Sequence, residues 1–176
     1  MSEQQWWDEE FDVVVAGGGG TGLMTAVAAA ERGASVLLVE KQPVPGGATA
    51  MAVGSITAAG TTLQQAAGIQ DGPDEHVADL LMMMDAGRGR EGVDLELSRL
   101  MVDLAPRAVE RLTALGVRFT GPHPEVPHKQ YRMHNALPET PYIETLVAAA
   151  TKRGVTIRTD TVIQEPVSYT HLRAHE

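Results

Sequence analysis

Four consecutive glycines, Gly17 to Gly20, separate a β-branched apolar run from an alanine-rich segment, and they restrict the fold more than any other feature. The run Asp12-Val-Val-Val-Ala16 lacks alternation, which predicts a strand buried on both faces of a parallel sheet. Residues Thr21 to Arg32 are rich in alanine and stop at Gly33, the pattern of a helix with a glycine at its end. Ser35-Val-Leu-Leu-Val39 predicts a second buried strand, ending at Glu40. Strand, glycine turn, helix and strand make a βαβ unit. The expected fold class is therefore α/β, with a Rossmann-like G-x-G-x-x-G unit near its start.

Gly17, Gly19 and Gly22 satisfy that pattern directly after a strand and before a helix. The first glycine permits a tight turn, the second lets backbone approach a pyrophosphate, and the third lets the helix pack closely on the strand. Gly20 and Thr21 open the helix, whose N-terminal N–H groups and positive dipole end suit phosphate oxygens. Glu40 lies eighteen residues past Gly22 (40 − 22), at the end of the second strand. A carboxylate there can accept both ribose hydroxyls of an adenosine and repels a 2′-phosphate. FAD and NAD both fit this motif, NADP is disfavoured, and a position at the start of the chain leans towards FAD.

Composition closes several alternatives. With 23 acids against 14 bases the formal charge is −9, so no nucleic-acid partner is expected. The chain has no cysteine, which removes disulfides, thiolate metal sites and cysteine nucleophiles and fits a reducing, cytoplasmic setting. No apolar stretch reaches the ~18 residues of a membrane span. Eighteen glycines against 4% aromatic residues suit tightly packed α/β units better than a β-sandwich.

Further along, residues 42–62 are rich in Gly, Pro, Ala and Thr and read as irregular. Helices are expected over Asp74–Gly87, over Asp94–Gly116 with a break at Pro106, and over Pro141–Arg153. Short strands are expected at Val117–Thr120 and Val155–Thr159, with Thr161–Ile163 as a further apolar piece. The proline-rich stretch Gly121–Pro141 reads as loop.

The second glycine-rich segment, from Glu40 to Gly60, carries a family resemblance. Glu40-Lys41, Gly46-Gly47-Ala48-Thr49 and Gly54-Ser55 resemble the acid–Lys pair, the Gly-Gly turn and the flavin loop of the fumarate reductase and succinate dehydrogenase flavoprotein family. That family includes ketosteroid dehydrogenases. The resemblance runs from Asp12 to about Pro166 and takes in Arg132-Met-His134. It implies an FAD-dependent oxidoreductase passing a hydride between flavin and a C–C bond activated by a carbonyl or carboxylate. It implies Gly47, Ala48, Thr49, Gly54, Ser55 and Lys41 as further cofactor contacts, and backbone contact to adenine at Val162. Ala48 stands where membrane-bound members have the histidine that bonds to flavin, so the FAD is expected to be non-covalent. Partners would be a small-molecule substrate and an electron donor or acceptor. An NAD-linked dehydrogenase or a non-catalytic dinucleotide-binding module is the alternative.

His123, His128 and His134 fall in the proline-rich stretch at spacings unsuited to one helix face, and no metal site is expected. They read as exposed loop histidines. Arg132 could grip a carboxylate bidentately and His134 could move protons, with loop anchoring as the plainer role. Asp71, Asp74, Asp79 and Asp85 read as a solvated, capping-rich surface, and Met82 to Met84 as core packing. Catalytic residues are not identified.

The last ten residues, Val167 to Glu176, resemble a translated sequencing adaptor. The expected organisation is a flexible segment 1–10, an FAD-binding domain 11–166 that is incomplete at its C-terminus, and a non-native tail 167–176. A coding sequence cut near Pro166 would leave an inactive fragment.

Overall fold

The computed structural model of the chain describes residues 8–52, 54–87 and 91–165. Val53, most of segment 1–10 and the tail 167–176 lie outside the described residues. In chain order the elements are β1 (Val13–Ala16), α1 (Gly20–Ala30), β2 (Val36–Val39), α2 (Gly47–Met51), β3 (Ser55–Thr57) and α3 (Thr62–Ala66). They continue with α4 (Pro73–Ala86), α5 (Leu95–Leu115), β4 (Phe119–His123), β5 (Met133–Ala136), α6 (Tyr142–Lys152) and β6 (Thr156–Arg158). Two compact units result, one from residues 1–50 with 146–176 and one from residues 51–145.

The first unit holds a parallel sheet in the order β1-β2-β6, with Val13 opposite Val36 and Leu37 opposite Thr156. Its core is Leu23, Ala26 and Val27 of α1, Val36, Leu38 and Val39 of β2, and Leu146 and Ala150 of α6. Each fully buried Leu or Val contributes ~1.5–3 kcal/mol of hydrophobic stabilisation. At the strand starts, Asp12 Oδ2 accepts from the Ser35 N–H (2.8 Å) and hydroxyl (2.7 Å).

The unalternating run predicts β1 buried on both faces, and the structure corrects this. Val14 is 55% exposed, and only Val15 of the strand is buried. Among the described residues β1 pairs with β2 alone. Helix α1 lies on the Val15 side, where a Cβ added to Gly22 would sit 3.4 Å from Val15 Cγ1.

The second unit holds an antiparallel sheet in the order β3-β5-β4, with Ile56 opposite His134 and Thr120 opposite Asn135. Helix α3 starts in a capping box, Thr61 accepting from the Gln64 N–H while the Gln64 side chain returns to the Thr61 N–H. Pro73 opens α4 with Asp74 and Glu75 in its first turn, and the Asp94 side chain caps α5, which ends at Gly116 with φ +113°.

Several expectations fail here for physical reasons. Helix α5 runs unbroken through Pro106. An interior proline costs ~3 kcal/mol, and the burial of Val102, Val109 and Leu112 along α5 offsets it. The apolar period on this helix divides: Leu97, Leu100, Met101 and Leu104 remain 62%, 52%, 56% and 42% exposed. Segment 42–62 contains α2, β3 and the start of α3. The stretch Gly121–Pro141 contains strand β5 and the end of β4, while Thr161–Ile163 forms no strand. Met82 is 42% exposed, with Met83 and Met84 half-buried, so the three are not core.

Candidate functional site

The first unit brings the glycine turn and Glu40 together. Gly17 takes φ +94°, open to glycine, and donates its N–H to the Val39 carbonyl at 2.8 Å. A Cβ at Gly22 would lie 1.9 Å from the Gly17 carbonyl oxygen, so this glycine is required for α1 to leave the turn. Gly19 is the N-cap of α1 and makes no side-chain cap bond. A Cβ there would meet only the Gly46 carbonyl oxygen, at 3.8 Å, so its outer side stays open to a ligand.

Glu40 is 7% exposed, and both its carboxylate oxygens already accept backbone hydrogen bonds. Oε1 takes the Gln42 N–H at 2.8 Å and Oε2 the Gly18 N–H at 2.7 Å. These bonds, Gln42 first and Gly18 second, hold its pKa below the usual glutamate value against the opposing effect of burial. A carboxylate offers about four lone-pair positions, so two remain for ribose hydroxyls. The acid borders a cleft of about 220 Å³ lined also by Ala16, Gly17, Lys41, Thr161 and Val162. Val162 is 66% exposed, and the Thr161 N–H ties its segment to the Glu40 carbonyl at 2.9 Å.

The segment carrying Gly46, Gly47, Ala48 and Thr49 crosses the same turn. Gly46 donates its N–H to the Gly18 carbonyl at 2.9 Å, and Gly47 takes φ +54°. Thr49 Oγ1 accepts the Gly20 N–H at 3.1 Å, capping α1 in place of the side chain that Gly19 lacks. Its hydroxyl proton remains free to donate, and Ala48 is exposed. Gly54 and Ser55 belong to the second unit, where Gly54 takes φ +82° and its carbonyl accepts from the Tyr142 hydroxyl at 2.8 Å.

Gly18 is a contributor that sequence reading missed, and Gly20, expected at the helix start, has a packing role that the spacing did not show. Gly18 and Gly20 are free positions in G-x-G-x-x-G, yet a Cβ at Gly18 would lie 2.9 Å from Pro45 Cβ and one at Gly20 2.8 Å from Thr49 Oγ1. The signal was the surplus of glycine: four in a row where the turn itself asks for two.

The second unit corrects the reading of its polar residues. Arg132 and His134 are fully buried, and the His128 side chain is 4% exposed, so the latter two are not exposed loop histidines. Arg132 does grip a carboxylate bidentately, through Nε and Nη2 at 2.6 and 2.7 Å, but it is that of Asp71. Nη1 reaches Asp79 at 2.6 Å and His128 Nδ1 at 3.2 Å. Asp71 and Asp79 therefore form a buried ionic cluster rather than a solvated surface, while Asp74 is exposed. Burial raises both carboxyls, and the hydrogen bonds and charge around them more than reverse it, leaving both lowered. His134 Nε2 lies 2.9 Å from the Thr61 hydroxyl, and burial lowers its pKa. This is anchoring.

The model of the FAD binding domain family matches residues 12–167. An NADH:fumarate oxidoreductase of Klebsiella pneumoniae (strain 342) is 35% identical over 148 residues, 82% of this chain and 16% of that protein. The solved 3-ketosteroid-delta4-(5alpha)-dehydrogenase of Rhodococcus jostii RHA1 superposes with a TM-score of 0.70 at 29% identity, over 88% of this chain and 38% of that one. A flavocytochrome c3 fumarate reductase gives 0.69 at 27% identity, over 87% and 27%. The chain thus spans about a sixth of that curated relative's length. No helix among the described residues is long and apolar enough to cross a membrane. The chain therefore belongs to the FAD binding domain family, and its cofactor is FAD.

Proposed function

We propose that the chain holds the adenosine and pyrophosphate of FAD for an oxidoreductase that exchanges a hydride with a C–C bond activated by a carbonyl or carboxylate. Glu40 carries the reading: a near-buried carboxylate, fixed by two backbone N–H groups, borders a cleft beside the glycine turn. The residues fit the group. Gly19 leaves its outer side open, and the N-terminus of α1 adds the positive dipole end.

In this reading Gly17, Gly19, Gly20, Thr21 and Gly22 hold the pyrophosphate, Glu40 takes the ribose hydroxyls, and the Val162 backbone meets adenine. Lys41 lies beside the ribose as a screening charge. Gly47 and Ala48 admit the cofactor past the turn, Thr49 donates its hydroxyl to a phosphate oxygen, and Gly54 with Ser55 approaches the flavin. Ala48 offers no nucleophile, so the FAD is held without a covalent bond. FAD, when bound, supplies the hydride chemistry, and this chain's residues bind and orient it. The relatives' names support the substrate class, a carboxylate-activated bond in fumarate and a ketone-activated one in a ketosteroid. The whole protein would complete substrate binding and meet its electron donor or acceptor. This chain alone is proposed to be inactive, and a cytoplasmic setting suits its cysteine-free sequence.

The test is to purify the protein with FAD and precipitate it with acid. Flavin absorbance in the supernatant is expected. Flavin retained in the pellet, or a protein that takes up none, overturns the reading.

A further inference from the structure

The second unit contains a cavity of about 600 Å³ that touches the proposed cofactor site only through Ser55. That volume lies within the roughly 300–1,000 Å³ of small-molecule pockets. Its walls are mainly apolar: Ile56 from β3, Leu80 from α4, and Met101, Leu104, Ala105 and Ala108 from α5. The polar groups are few, chiefly His76, His128, Ser55 and Thr57.

His76 is 2% exposed, and among the described residues its Nδ1 has no hydrogen-bond partner. A buried polar atom without a partner keeps its desolvation cost uncompensated, and a ligand atom would recover it. Its ring meets His128 edge-on with centroids 5.4 Å apart. His128 Nδ1 faces Arg132 Nη1, which can only donate, so a neutral His128 carries its proton on Nε2.

Charge decides the class of ligand. The Arg132 guanidinium is committed to two carboxylates, Asp71 and Asp79, and the Lys129 ammonium faces Asp79 at 3.8 Å, so the charges of the cluster beside the cavity balance and no cation among the lining residues is left for an anion. Burial first, and then the charge of Arg132, hold His76 neutral down to about pH 4. A dicarboxylate or a phosphate has no partner there.

We propose that this cavity binds a neutral, largely apolar small molecule bearing one polar oxygen that pairs with the His76 imidazole. The cavity shares Ser55 with the proposed flavin approach, so the inference rests on that reading at this one residue, and flavin release on acid precipitation tests the two separately.

The experiment uses the full chain loaded with FAD and titrates it at pH 7 with 2-naphthol and, separately, with 2-naphthoate. Saturable one-to-one binding of 2-naphthol is expected, with 2-naphthoate at least about tenfold weaker, because an unpaired buried charge is costly. Ala105→Phe and Ala108→Phe fill the cavity and should each weaken 2-naphthol by about tenfold or more, with far-UV circular dichroism and FAD content unchanged. His76→Phe keeps the ring and removes the polar atom, and should weaken it about three- to tenfold. Absence of saturable 2-naphthol binding overturns the proposal, as does equal binding of 2-naphthoate or full binding in both alanine variants. Loss of binding when FAD is loaded would assign the cavity to the flavin. A loss that grows with protein concentration would assign it to a second copy of the chain, and either result overturns the proposal.

Discussion

The Gly18 backbone N–H donates to Glu40 Oε2 across 2.7 Å, joining the turn after β1 to the acid at the end of β2. Together with the Gln42 N–H on the other oxygen, this bond orients the carboxylate before any ligand arrives. Preorganisation of this kind lowers the ordering cost of binding.

Glu40→Ala should weaken FAD binding by about 1–3 kcal/mol, the range for hydrogen bonds to a charged group. At 25 °C that is roughly five- to 150-fold in Kd, readable by flavin fluorescence titration. Glu40→Arg should be worse. Unchanged affinity in both variants would remove Glu40 from the site.

Much of this site was legible because its requirements are local. A turn at Gly17, a close contact at Gly22 and an acid after β2 are each set by a few consecutive residues. The roles of Gly18 and Gly20 depend instead on Pro45 and Thr49, which approach from a later segment, so spacing alone does not reveal them. The same holds for Arg132 and His134. Prolines around them suggest a loop, yet Asp71 and Asp79 neutralise the arginine, and Thr61 and the Ile56 carbonyl meet the histidine, so β5 can carry His134 into the interior together with Arg132, the residue just before the strand. Buried polar residues hide from patterns that equate polarity with exposure.

Gly18→Ala should destabilise the first unit. The new Cβ would lie 2.9 Å from Pro45 Cβ and 3.2 Å from Pro45 Cα, atoms that cannot swing aside, and 3.3 Å from Glu40 Oε2, which the Gly18 and Gln42 N–H groups hold in place. Overpacking typically costs ~1–3 kcal/mol, seen as a lower urea midpoint. Gly33→Ala adds no contact within 4 Å and is strained only by its φ of +86°, so its midpoint should fall less. Equal losses would contradict the packing argument.

Acid should destabilise the second unit in two stages. His76 is lowered to about 4 in the folded chain against ~6.5 unfolded, so its contribution is complete above pH ~6.5 and is lost as pH falls towards 4. Asp71 and Asp79 are lowered from their ordinary value, so theirs is complete above pH ~4 and is lost below it. His76→Phe should flatten urea midpoints measured between pH 7 and 4 while leaving the loss below 4. A slope unchanged by the substitution would exclude His76 as its source.

Leu23→Ala should cost ~2–5 kcal/mol, because this side chain is fully buried against the sheet of the first unit. Val14→Ala, on the uncovered face of β1, should cost within about 0.5–1 kcal/mol. Thermal or urea unfolding of the two variants separates them, and a large loss at Val14 would show that this face is covered.

The most direct measurement for the central claim is competition for the FAD site by the two halves of the cofactor. ADP carries the ribose and pyrophosphate that Glu40 and the α1 N-terminus are assigned to hold, and riboflavin carries neither. Equilibrium dialysis of FAD against each compound is predicted to show displacement by ADP, weakened in Glu40→Ala, and little displacement by riboflavin. Displacement by riboflavin alone, or ADP competition indifferent to Glu40, would contradict the account.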